Sequence, residues 1–206
     1  MSFGMIALMV LSLLTLFGAG QRVLDRLHLD DRAALGMMAA IFIGGLLPAL
    51  RIGRVEIGIG GCLIPLGLCV FVLVKAGTAM ERLRALFCAV LTGAAVWTLG
   101  RIMPAEPEQI VIDPLYVGGI AAGLISWVLC RSRRTAFVSG VLGVLLADTA
   151  GALESLAAGA DAPVRLGTGG ALDAVVISAI ISVLLAELVG EAVERIVRSR
   201  RKEGAR

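Results

Sequence analysis

The sequence predicts an all-α protein: a polytopic transmembrane helix bundle of about seven spans, with an internal three-helix parallel repeat. Three observations point there. The chain is 58% hydrophobic and 17% charged with a mean hydropathy of +0.94, whereas a soluble domain is about half apolar and about a quarter charged. Its apolar residues gather into seven runs of near-membrane length. Its basic residues fall almost entirely on alternate connections between those runs.

The runs are Phe3–Gly18, Ala33–Leu50, Ile57–Val74, Ala85–Ile102, Leu115–Cys130, Ala136–Leu153 and Ala171–Leu188. Each approaches the length of about 20 residues that a helix needs to cross the hydrocarbon layer. Lipid cannot hydrogen-bond a bare backbone, so each run is expected to be helical or shielded by helices. Aromatics are only 4% of the chain while glycine occurs 26 times, which favours helices that approach closely. No basic n-region precedes the first run, so it is expected to remain as a transmembrane helix. Residues 1–188 then form one transmembrane domain and 189–206 a basic cytoplasmic tail.

Orientation follows from charge. Of the 19 Lys and Arg residues, 15 follow odd-numbered runs: Arg22, Arg26 and Arg32; Lys75, Arg82 and Arg84; Arg131, Arg133 and Arg134; and six in the tail from Arg195 to Arg206. Only Arg51, Arg54, Arg101 and Arg165 lie on the other side. The positive-inside rule puts the N-terminus outside and the tail in the cytoplasm. Glu187, Glu191 and Glu194 carry the last helix onward before the Arg/Lys cluster, which suits a solvated helix end or contact with anionic lipid head groups.

Several function classes are excluded. Cys62, Cys69, Cys88 and Cys130 lie in or at the end of apolar runs without metal-ligand spacing, and His28 is the single histidine. Neither a disulfide framework nor a zinc site is expected, and the thiols are read as small buried hydrophobes. Gly58-Ile59-Gly60 and Gly167-Thr168-Gly169 lack the strand–turn–helix unit of a nucleotide fingerprint. No cofactor is expected. The basic residues are topological, so the expected partner is the lipid bilayer and not a nucleic acid; oligomer formation is left open.

A repeat is visible in the glycine-rich segments. Arg54-Val-Glu-Ile-Gly-Ile-Gly-Gly-Cys-Leu-Ile-Pro65 and Pro163-Val-Arg-Leu-Gly-Thr-Gly-Gly-Ala-Leu-Asp-Ala174 share Val, Ile/Leu, three glycines and Leu at a shift of 109 residues. Both precede a run directed from outside to inside, which predicts two three-helix units, about 3–76 and 115–188. Each copy begins as an extended β-branched stretch, and its glycines serve close packing or φ > 0 at the membrane mouth. Ile64 in the first copy aligns with Asp173 in the second.

Asp148 interrupts the sixth run and Asp173 opens the seventh, and a carboxylate at membrane depth usually faces the bundle interior and serves a function. Asp148 lies 12 residues past Ala136, roughly 18 Å along a helix, and Asp173 lies 15 residues before Leu188, roughly 22 Å. Both fall in the outer half of a hydrocarbon core about 30 Å thick, where adjacent antiparallel helices bring them face to face. Two carboxylates sharing a proton can activate a water, one as base and one as acid. The candidate site is therefore Asp148 and Asp173 as catalytic pair, shaped by Gly167, Gly169 and Gly170.

The segments Val55–Pro65, Gly140–Asp148 and Leu166–Ile177 resemble the hallmark stretches of a bacterial and archaeal membrane family, domain-of-unknown-function family 1614, across about Ala33 to Glu187. That resemblance implies a multi-pass inner-membrane protein without an assigned activity. In arrangement the two aspartates are also similar to presenilin and signal peptide peptidase, which carry one catalytic aspartate on each of two consecutive helices. There the second follows Gly-x-Gly directly; here Gly170, Ala171 and Leu172 intervene after Gly167-Thr168-Gly169. Ala147 stands where that class has tyrosine, and Pro48-Ala49-Leu50 reproduces its tripeptide ahead of the aspartates instead of after them. The likeness implies an intramembrane aspartyl protease acting on a transmembrane peptide.

Other readings of the same residues stand beside it. Asp173 suits a helix N-cap, and Asp148 suits a hydrogen bond to a neighbouring helix. Glycine-broken helix starts and buried acids also suit a proton- or cation-coupled carrier of small solutes. A non-catalytic structural membrane protein is the third reading. Glu154 is expected to be solvated at the outer interface.

Overall fold

The structure, a computed structural model, describes residues 40–41, 43–103, 114–130, 132–159, 163–169 and 173–203. Strand β1 (Leu50–Ile52) turns at Gly53, φ +62°, into β2 (Val55–Ile57). A five-residue π-helical stretch, Ile59–Leu63, runs straight into helix α1 (Ile64–Val74). Helices α2 (Ala79–Ile102), α3 (Pro114–Leu129) and α4 (Arg133–Ala157) follow, then strand β3 (Val164–Leu166) and helix α5 (Ala174–Glu203).

Caps explain several boundaries. Thr78 Oγ1 accepts from the Glu81 amide at the start of α2. At the start of α4, Ser132 and Thr135 form a capping box, each side chain serving the other's backbone amide. Helix α4 is the hub: it packs on α1, α2, α3, α5 and β3, and its face from Thr135 to Ala147 is buried. The core around it joins Val138, Val141 and Val144 of α4 to Val175 and Ala179 of α5 and Cys69 and Val72 of α1.

Helix α2 has the reverse of a soluble helix's pattern. Its buried face is small, with Ala85, Cys88, Ala89, Thr92 and Gly93, while Leu83, Phe87 and Val90 point outward at 63%, 63% and 58% exposure. Large apolar groups facing out and small groups facing in are what lipid solvation allows. The molecule is a membrane-associated helical protein.

The expectation of an all-α, seven-span bundle is overturned on two counts. The first is a three-stranded sheet in the order β1-β2-β3, with β1 antiparallel and β3 parallel to β2. The extended, β-branched character of the two glycine-rich segments is legible in sequence, but their backbones satisfy each other: Val55 pairs with Val164, Glu56 with Arg165 and Ile57 with Leu166.

The second count concerns length. Among the described residues only α2 and α4 are long and apolar enough to cross a membrane. The run Ile57–Val74 begins in a strand, leaving the shorter helical stretch Ile59–Val74. The run Leu115–Cys130 becomes α3, of 16 residues. Ala171–Leu188 falls mostly within α5, whose apolar portion is Ala174–Gly190. Phe3–Gly18 lies outside the described residues. Of Ala33–Leu50 only the end is described, helical at 40–41 and 43–46 and in strand β1 by Leu50.

Candidate functional site

The C-terminal half of α4 and the start of α5 bring Asp148 and Asp173 to one cavity of about 640 Å³, walled also by α2, α3 and β3. The cavity arises because β3 pairs with β2 and delivers the chain to the head of α5 through Gly167-Thr168-Gly169. Gly167 has φ +63°, and a Cβ there would strike the backbone nitrogen of Cys62. A Cβ on Gly58 would strike the Gly167 carbonyl, and one on Gly61 would lie 2.9 Å from the Asp173 Cβ. The π-helical stretch is therefore seated against the loop backbone, and only glycines permit that seat.

Asp173 is 5% exposed and both of its oxygens are engaged. Oδ1 accepts from the Val175 amide at 3.0 Å and Oδ2 from the Gly169 amide at 3.0 Å. The first bond caps α5 and the second draws the glycine loop onto the helix end. Asp148 is half-buried, lines the cavity, and has no hydrogen-bond partner among the described residues. Both aspartates line the same cavity, and Gly61, next to Cys62, packs against Asp173. Gly167 and Gly169 border the cavity, whereas Gly170 lies outside the described residues. Among the described residues, no group of three or more His, Cys, Asp or Glu is placed to hold a metal ion.

The rim carries contacts that sequence reasoning passed over. Glu154, expected to be solvated at the outer interface, has its side chain 42% exposed, and it also forms an ion pair with Arg101 and accepts a hydrogen bond from Trp97 Nε1 at 3.2 Å. The Arg101 guanidinium lies 4.4 Å from the centre of the Trp97 ring. The spacing of Trp97 and Arg101, one helical turn apart, was a usable signal. Its partner on α4 was not legible, because nothing local names it. Arg165 also borders the cavity, and it shares Glu56 with Arg51 at 3.2 and 3.0 Å.

A family described as "Protein of unknown function (DUF1614)" matches residues 46–185. That stretch takes in the sheet, the glycine loop and both aspartates. The chain belongs to this family. No curated protein and no solved structure matches it, so the likeness to the presenilin class rests on the arrangement of the two aspartates alone. In this DUF1614 protein the matched region ends within α5, short of the basic part of the tail.

Proposed function

We propose that this DUF1614 protein is an inner-membrane protein whose Asp148 and Asp173 form a membrane-embedded di-aspartate site that hydrolyses a peptide bond. The observation that carries the reading is the shared cavity: both carboxylates line it, and β3, an edge strand among the described residues, forms part of its wall. An extended peptide added along that edge would have its backbone amides matched by the strand and its scissile bond led toward the acids. Of the two carboxylates, Asp173 has its charge offset by two amide donors, so the shared proton belongs on Asp148. In this scheme Asp173 takes a proton from a water held between them as the water attacks the carbonyl. Asp148 protonates the carbonyl oxygen; as the tetrahedral intermediate collapses, Asp173 passes the proton it took from water to the leaving amine, and Asp148 takes one back from the gem-diol hydroxyl.

The orientation proposed with this site has the N-terminus outside and the 189–206 tail in the cytoplasm. It is supported by the asymmetry of Lys and Arg, of which only Arg51, Arg54, Arg101 and Arg165 fall on the outer side.

The test is cleavage of a panel of single-span peptides by the full-length protein in liposomes. Asp148→Asn and Asp173→Asn should each reduce cleavage by at least about 100-fold, the range lost when an acid–base group is removed. Unchanged cleavage in both variants would remove the proposal. A second reading is favoured by the lack of a described hydrogen-bond partner for Asp148: such an acid can also bind and release a proton or small cation for a coupled carrier. In that case the same substitutions alter pH-dependent flux in liposomes, and no peptide is cut.

A further inference from the structure

Away from the cavity, a second polar cluster joins α2 to the connection between α3 and α4. Cys88 of α2 and Cys130, the residue after α3, are 9% and 8% exposed and form a small buried cluster with Ala136. The two cysteines pack together against Ala136 of α4. Cys88 Sγ reaches the Leu129 carbonyl at 3.7 Å, and Ser139 Oγ lies 3.0 Å from Thr92 Oγ1, one turn along α2 from Cys88. Two free thiols are thus brought together from positions 42 residues apart and held among hydroxyls.

We propose that Cys88 and Cys130 are a modification site: a dithiol that a small disulfide oxidises to an intramolecular bridge, tying α2 to the end of α3. The atoms balance. One thiol of the pair loses its proton and attacks one sulfur of the oxidant, releasing the first small thiolate, which takes up that proton. The other thiol then attacks the protein sulfur of the mixed disulfide and releases the second, and its own proton goes to that leaving group. Two protein thiols become one disulfide, and one small disulfide becomes two thiols. The product is neutral, which suits a buried setting better than the paired thiolates a metal ion would require. The site stands one turn into α4 from Ser132, roughly 20 Å along that helix from Asp148, and is independent of the hydrolytic reading. On the proposed orientation it faces the cytoplasm, where thiols rest reduced, so the bridge forms under oxidative load.

The experiment uses full-length protein in native membranes treated with oxidised glutathione, then unfolded in acid and labelled with maleimide–polyethylene glycol. The four free thiols should fall to two, and peptide mapping should join Cys88 to Cys130. Cys88→Ser and Cys130→Ser should each show three labelled thiols before and after treatment. Four labelled thiols after treatment that fully oxidises an added exposed-thiol protein would overturn the proposal. So would a bridge between other cysteines or between two chains. The wild-type map decides the question even where a serine variant fails to fold.

Discussion

Asp173 and Asp148 differ in what holds them, and the difference separates structure from chemistry. Asp173 accepts from Gly169 and Val175 and has its backbone carbonyl engaged by the Ile177 amide. Asp148 borders the same cavity without such bonds among the described residues. Asp173→Ala should therefore lower stability by about 1 kcal/mol, the usual cost of losing a cap, while Asp148→Asn leaves it nearly unchanged. Thermal midpoints in detergent read both. A midpoint that falls more for Asp148→Asn would show that α4, and not the head of α5, depends on its acid. Gly167 is a comparable case of a residue whose need is local, since its φ of +63° and its seat against Cys62 exclude a side chain. Sequence reasoning identified both aspartates and the glycine loop. It left the capping role of Asp173 as one reading among several, because a cap is defined by which amides the carboxylate meets.

Helices α2 and α4 pack closely through facing glycines. A Cβ on Gly93 would lie 2.9 Å from the Gly143 carbonyl, and one on Gly143 would lie 2.7 Å from Thr92 Cγ2. Gly143→Val should therefore push the helices apart at a cost of about 1–3 kcal/mol. The thermal midpoint should drop, and the Thr92–Ser139 contact and the neighbouring Cys88–Cys130 pair should loosen with it. A variant with the wild-type midpoint would show that the crossing tolerates the volume. The helices themselves were legible because hydropathy and caps are local: the expected runs Ala85–Ile102 and Ala136–Leu153 fall inside α2 and α4. The sheet was only half legible. Val55-Glu56-Ile57 and Val164-Arg165-Leu166 read as extended, but a ladder needs partners, and those partners are 109 residues apart. We propose that this offset, shared with the recurrence of the glycine-rich segments, marks the two strands as corresponding ends of a duplicated unit.

At the scale of the whole molecule, the large apolar side chains that α2 turns outward call for a lipid environment. The proposed orientation predicts that alkaline phosphatase fused after Arg206 is inactive and that a fluorescent protein fused there is bright. The opposite pair of results would reverse the orientation. Helix α5 continues unbroken to Glu203 and carries basic residues past the apolar portion ending at Gly190.

The sequence by itself determined the membrane character, the two acids and the glycine segments beside them, because composition, hydropathy and backbone permissiveness belong to residues and their near neighbours. Only the tertiary structure decided that two glycine-rich segments pair as strands and that Asp148 and Asp173 share a cavity. It alone also brought Glu154 to Arg101 and Cys88 to Cys130. Each of those is a meeting of distant chain positions. Such meetings are set by which buried backbone groups and helix faces satisfy one another once the whole chain has packed.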